Sequence, residues 1–168
     1  MKNILSLILV LALVLAFAGC GAATTLPTDE NDGTQIPNPW QEVDTVADAK
    51  AILGYDIAVP ETVAGLAQTA VRVLNDSEKI LEIYYGGETE GADHAVIRKA
   101  PGTDDISGDY TDYAEVKDVT VGELTVTEKG DGTSVFSAVW TKDGYSYSFF
   151  STAGVSADDF AAIAAAIA

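Results

Sequence analysis

Apolar residues are spaced along this chain in three distinct ways. From Ile4 to Phe17 they run almost unbroken for 14 residues. That length fits the apolar region of a signal peptide and falls short of the roughly 20 residues a bilayer-spanning helix needs. From Gly21 to Pro39 there is no period at all. Gly, Ala, Thr and acids dominate, and Pro27, Pro37 and Pro39 prevent regular structure. From Trp40 onward the spacing becomes regular and predicts a globular domain over residues 40–168.

The first element of that domain is helical. Thr45-Val46-Ala47-Asp48 has the form of a capping box, Ala49, Ile52 and Leu53 recur at helical spacing, and Gly54 is a natural stop. This predicts a short helix over Val46 to Leu53, followed by an extended Tyr55–Val59 before Pro60. From Gln68 the period is two, predicting strands over Thr69–Leu74, Lys79–Tyr85, His94–Lys99, Val119–Thr127, Ser134–Thr141 and Tyr145–Ser151. Gly130-Asp131-Gly132 and Asp143-Gly144 read as hairpin turns, because such pairs supply positive φ. At the end, Ser156 caps a second helix with Asp158 and Asp159 in its first turn, and Phe160, Ile163, Ala164 and Ile167 form one apolar face. The prediction is an α+β fold: a mainly antiparallel β-meander sheet, a short N-terminal helix, and a C-terminal helix packed on one face.

Two strand faces have the bulk to receive that last helix. Phe136, Ala138 and Trp140 form one, and Tyr145, Tyr147 and Phe149 the other. The first is the expected seat, since Ala138 leaves room for the ring of Phe160. Tyr145 and Tyr147 are then expected on the opposite, more exposed face, as candidates for ligand stacking.

The end of the apolar run carries a more specific signal. Leu15-Ala16-Phe17-Ala18-Gly19-Cys20 closes on the only cysteine, after a positive start at Lys2. The arrangement resembles the lipobox of bacterial lipoproteins, with Phe17 where that family usually has Leu. The resemblance implies a signal peptide over residues 1–19 and a Cys20 thiol that takes a diacylglyceryl group carrying acyl chains such as palmitate. Residues 20–39 then form a lipidated tether. Its 19 residues after the cysteine reach about 60 Å extended, or about 25 Å as a flexible coil. The expected location is the cell membrane, lipid-anchored and facing the extracytoplasmic side.

Charge narrows the partners. The chain carries 26 acids and 9 bases, a formal −17, and removal of residues 1–19 takes away only Lys2. Such a surface repels nucleic acid and polybasic-type docking to anionic lipid, so attachment falls to the lipid on Cys20. With its one cysteine occupied the domain has no internal disulfide and depends on its core.

The residues offer little catalytic chemistry. His94 is the only histidine and reads as an exposed edge residue; a zinc site lacks both cysteine pairs and a second histidine. No metal or cofactor is expected. Asp29-Glu30-Asn31-Asp32-Gly33 starts like a calcium loop but lacks its closing glutamate. The densest acidic group, Asp104, Asp105, Asp109 and Asp112, lies beside Tyr110 and Tyr113 and has hard oxygen donors, though in no known calcium spacing. Arg98 or Lys99 is expected to pair with Asp104, Asp105 or Asp109 and order that loop.

The segments Val96-Ile97-Arg98-Lys99-Ala100, Asp104-Asp105-Ile106-Ser107-Gly108-Asp109-Tyr110, and Trp140 with Gly144-Tyr145-Ser146-Tyr147-Ser148 resemble an uncharacterised extracytoplasmic domain. It recurs in small lipoproteins of Gram-positive bacteria and in membrane proteins related to anti-sigma factors. The resemblance covers about Trp40 to Ala168, implies the same α+β fold and envelope location, and carries no activity. The leading expectation is a non-enzymatic binding or sensing module whose ligand, an envelope protein, peptide or carbohydrate, meets Arg98, Asp105, Asp109, Tyr110, Tyr145 and Tyr147. The alternative is an envelope hydrolase acting on carbohydrate or peptide through Asp105 and Asp109.

Overall fold

The computed structural model describes residues 38–167; the predicted signal peptide, Cys20 and nearly all of the tether lie outside them. The architecture is the expected α+β one: an open, antiparallel sheet with two helices. The strands are β1 (Gln41–Val43), β2 (Thr62–Val63), β3 (Leu66–Leu74), β4 (Ile80–Gly86), β5 (His94–Pro101), β6 (Glu115–Val121), β7 (Leu124–Gly130), β8 (Val135–Lys142) and β9 (Tyr145–Val155). The helices are α1 (Val46–Leu53) and α2 (Ala157–Ala166).

Strand order is β1-β3-β4-β5-β9-β8-β7-β6, with β2 paired to β3. Neighbours in sequence pair throughout two meanders, β3-β4-β5 and β6-β7-β8-β9. The exception is the seam between them, where β5 pairs β9, Ile97 opposite Phe149. Residues 102–114 therefore carry the chain from the middle of the sheet to its far edge.

Both helices form where their caps dictate. The Thr45 side chain accepts from the Asp48 amide at 3.1 Å, and Gly54, at φ 89°, closes α1 by donating to the Lys50 carbonyl at 2.8 Å. Ser156 accepts from the Asp159 amide at 3.1 Å at the start of α2. The expected strand over Val119–Thr127 is instead a hairpin: Val121 pairs Leu124 across Gly122, at φ 60°. A turn of that kind needs positive φ, which glycine adopts at no steric cost.

The helices pack their apolar stripes into one core. Ala49 and Leu53 of α1 and Phe160, Ile163 and Ala164 of α2 join Val71, Val73, Leu81, Ile83, Tyr85, Ile97 and Phe149 from the sheet. Here the two seats weighed for α2 prove to be largely one. The two-residue Asp143-Gly144 turn puts Lys142 opposite Tyr145, and hence Trp140 opposite Tyr147 and Ala138 opposite Phe149. Residues directly opposite share a face. Trp140 is buried under α2 as expected, its ring 6.1 Å from that of Phe160, but Tyr147 is only 2 % exposed and stacks on Trp140 at 5.5 Å. Tyr145, half-buried, packs on Tyr55 at 5.1 Å. The expectation of an exposed tyrosine face is thus corrected: these rings are core. Phe136 leaves the set, because the register shifts between Val135 and Ser137, and its ring stacks on Tyr113 instead.

Candidate functional site

The other sheet face carries no helix. Alternation puts Arg72 of β3, Glu82 and Tyr84 of β4, His94, Val96 and Arg98 of β5, and Phe150 of β9 on it, since Arg72 pairs Glu82, Glu82 pairs Arg98 and Val96 pairs Phe150. Residues 102–114 cross its β9-β8-β7 half. Ser146 of β9 donates to the Asp104 carbonyl at 2.5 Å, Lys129 of β7 meets Asp105 at 3.2 Å, and Phe136 of β8 stacks on Tyr113. The half formed by β3, β4 and β5 stays open. The step between the two halves walls a groove of about 870 Å³, with Ser107 to Thr111 on one side and Asn38, Trp40 and Glu42 among its other lining residues.

An ion-pair network forms the floor. Glu82, its side chain 5 % exposed, accepts from Arg98 Nε at 2.9 Å and from Arg72 Nη1 at 3.4 Å, and its carboxylate lies 2.8 Å from Arg98 Nη2. Arg72 also reaches Glu88 at 2.5 Å and lies 3.9 Å from Glu42. The remaining arm of Arg98, Nη1, donates to the carbonyls of Ile106 at 3.0 Å and Ser107 at 2.6 Å. Arg98 therefore does order the loop, but through its backbone. The expected ion pair with a loop aspartate does not form, because Glu82 lies directly opposite Arg98 on the neighbouring strand and takes its charge. Lys99 points to the helix face and donates to the Asp56 carbonyl at 2.7 Å. Gly108, at φ 65°, lets the loop come this close: a Cβ there would sit 2.8 Å from Arg98 Nη1.

Planar groups line the rest. The guanidinium of Arg72 lies 5.0 Å from the Tyr84 ring centre, Tyr84 stacks on His94 at 5.2 Å, and His94 packs on Phe150 at 5.8 Å. Arg98 lies 5.3 Å from the Trp40 ring centre. These rings mostly occupy one another's faces. Tyr110, 96 % exposed, does not.

Of the residues predicted from sequence, Arg98, Asp109 and Tyr110 line this groove. Asp105 lines a second hollow of about 400 Å³, which Arg98 and Tyr110 also border. Tyr145 and Tyr147 lie on the opposite face. The two aspartates are each individually satisfied. Asp105 accepts from the Ser107 amide at 2.9 Å and from Lys129, while Asp109 accepts from the Thr111 amide at 3.1 Å and the Tyr113 hydroxyl at 2.8 Å. Burial raises both carboxyl pKa values, but these hydrogen bonds outweigh it and hold both below the usual range. Tyr113 is pushed up to about 12 by burial and by its bond to Asp109. Glycoside hydrolysis needs one carboxyl kept protonated as the acid, and neither aspartate is shifted in the direction that acid requires.

His94 is half-buried within the ring stack rather than exposed at an edge. Its Nδ1 lies 3.3 Å from the Ala92 carbonyl, and among the described residues no carboxylate or hydroxyl bonds the ring. Nor do three or more His, Cys, Asp or Glu side chains among the described residues converge in a way that would hold a metal. Sequence reasoning missed Trp40, Glu42, Arg72, Glu82, Glu88 and Phe150. The available signal, for Arg72, Glu82 and Arg98, was a lone charge set among apolar residues of a strand: Val-Arg-Val at 71–73, Leu-Glu-Ile at 81–83, Ile-Arg at 97–98.

No protein-family model, curated protein or solved structure matches this chain. No described helix is long and apolar enough to cross a membrane.

Proposed function

We propose that this chain is a lipid-anchored extracytoplasmic binding module, non-enzymatic, which takes its ligand in the groove between β3, β4, β5 and the 102–114 crossover. The observation that carries the reading is the groove itself. It is a concavity on the uncovered sheet half, with an ion-paired floor and an exposed tyrosine at its wall. Its polar groups hold one another rather than standing as a nucleophile with its base, which suits recognition better than turnover. The lipobox-like segment ending at Cys20 supports anchoring, and the resemblance of residues 40–168 to an extracytoplasmic domain supports the location.

Two measurements test this. Replacing Cys20 by Ala is expected to move the protein from the membrane fraction to the medium, or to leave it unprocessed; a correctly cleaved Cys20→Ala chain that still partitions into detergent refutes the anchor. Amide shift mapping with fractionated envelope extract is expected to move Arg98, Gly108 and Tyr110 and to leave α2 unchanged. Shifts scattered over both faces, or none, refute the groove as a site.

A further inference from the structure

The helix-covered face of the sheet holds a buried carboxylate that the groove does not use. Glu128 of β7 is 4 % exposed, and its Oε2 has no hydrogen-bond partner among the described residues. It borders a hollow of about 40 Å³, room for one ammonium group or one water, beside the edge strand β6. Lys117 of β6 lies directly opposite Glu128 in the ladder, so the two side chains share a face. Lys117 nevertheless gives its ammonium to Glu115, two residues back on its own strand, at 2.8 Å. The cation opposite Glu128 is thus engaged elsewhere. A buried carboxylate without a partner is costly when ionised, and such a group holds a proton instead.

The other charges around the hollow have partners of their own. Lys129 borders it but pairs with Asp105 on the groove side. From α2 comes Ala157, with the exposed Asp158 and Asp159 next in the first turn, and Asp159 is bonded to Ser156. In the β7–β8 hairpin, Asp131 accepts from the amides of Thr133 and Ser134. Strand β8 contributes only Val135 and, opposite Glu128, Ala138. Lys117, half-exposed and on the right face, is the cation placed to change partner. We infer that Glu128 and Lys117 form a proton-operated switch: with Glu128 neutral, Lys117 pairs with Glu115, and when Glu128 gives its proton to water, Lys117 swings across to it. Glu115 is half-exposed, so its release to solvent costs little. Burial places the switching point above the ordinary glutamate range, against the pull of Lys117 and with the help of the Glu115 charge. The swing carries an edge-strand ammonium in toward the start of α2. The switch is separate from the groove and operates whatever the groove binds.

A pH titration of the full chain in detergent, followed by NMR of the glutamate carboxyl carbons and the lysine side chains, tests this. Glu128 is expected to titrate above the ordinary glutamate range, and the Lys117 signals to show a step at the Glu128 midpoint. In Glu128→Gln, which keeps the shape of the neutral acid, that step should vanish. Lys117→Met should raise the Glu128 midpoint by about half a pH unit, the scale of a partly exposed ion pair. Glu115→Gln frees Lys117 and removes a like charge, so it should lower the same midpoint. A Glu128 midpoint within or below the ordinary glutamate range overturns the switch. So do Lys117 signals that ignore the Glu128 midpoint, since the carboxyl then ionises without its lysine. The parent titration alone decides between these outcomes, whether or not every variant folds.

Discussion

Removing Arg98 strikes the floor and the wall of the groove together. In Arg98→Ala, Glu82, whose side chain is 5 % exposed with Arg98 in place, keeps only Arg72 at 3.4 Å. Breaking a buried pair by deleting one partner costs about 3–5 kcal/mol, and the surviving Arg72 contact puts Glu82 at the low end, about 3. The carbonyls of Ile106 and Ser107 lose their donor as well, but water entering the groove replaces much of that bond, adding about 1 kcal/mol. The total, about 4 kcal/mol, is a large share of the roughly 5–15 kcal/mol that holds a domain of this size together. Replacing both charges, as Glu82→Leu with Arg98→Met, leaves no uncompensated carboxylate and should cost about 1 kcal/mol. Urea unfolding followed by tryptophan emission measures all of these, with Glu82→Leu alone and Arg98→Met alone completing the cycle. A double variant as unstable as Arg98→Ala would refute the argument, since the loss would then come from the guanidinium's packing and not from an orphaned Glu82.

Other perturbations probe the opposite face. Glu128 is 4 % exposed, its Oε2 has no hydrogen-bond partner among the described residues, and burial raises its pKa although Lys117 opposes this. The folded state then holds a proton that the unfolded state releases near pH 4.5, so stability should fall as pH rises from there toward the higher folded pKa. Glu128→Gln should be more stable than the parent at pH 7 and no more stable at pH 4; equal melting curves at both pH values would count against this. Lys99, 7 % exposed, has its ammonium 4.5 Å from the Tyr145 ring centre and 5.3 Å from that of Tyr147, and burial lowers its pKa. Lys99→Met should stay within about 1 kcal/mol and Lys99→Ala should lose about 2–4 kcal/mol, because the stem fills core volume; equal losses would mean the charge is needed. Gly130→Ala puts a Cβ 2.0 Å from the Ser134 carbonyl oxygen and should cost more than about 2 kcal/mol by the same unfolding assay, against under about 1 at the uncrowded Gly132 if replaced by Asn.

Local features of this fold were written in local sequence. Thr45, Gly54 and Ser156 mark helix ends because capping involves residues three or four apart. The β6–β7 turn was legible too, had parity been followed: inward positions are odd at Val119 and Val121 and even at Leu124 and Val126, and a strand changes parity only at a turn or a bulge. Parity also decides the α2 seat. A two-residue turn at 143–144 makes opposite residues sum to an odd number, which forces Trp140 and Tyr147 onto one face. The β5–β9 pairing was not legible. It joins residues about fifty apart, and nothing in either strand's alternation names its partner. The candidate site inherits that limit, for Arg98, Asp109 and Tyr110 stand out in sequence, while Trp40 and Glu42 reach them only once the strand order is known.

That strand order also explains why a groove exists. With β9 inserted beside β5, the chain leaving β5 must cross three strands to reach β6. Both helices lie on one face, so the crossing takes the other. A segment lying on a sheet face needs partners for its own backbone and side chains, and the face supplies them at Arg98, Ser146 and Lys129, one from each of three strands. The crossing covers β9, β8 and β7 and leaves β3, β4 and β5 open. Arg98 sits at the boundary, holding Glu82 on the open side and the crossover carbonyls on the closed side. Any ligand seated there therefore rests against the piece of backbone that closes the fold's longest connection. If the groove takes a ligand as proposed, binding and the order of residues 104–110 are coupled through one guanidinium, and a groove variant that loosens the loop must be separated from one that removes a contact.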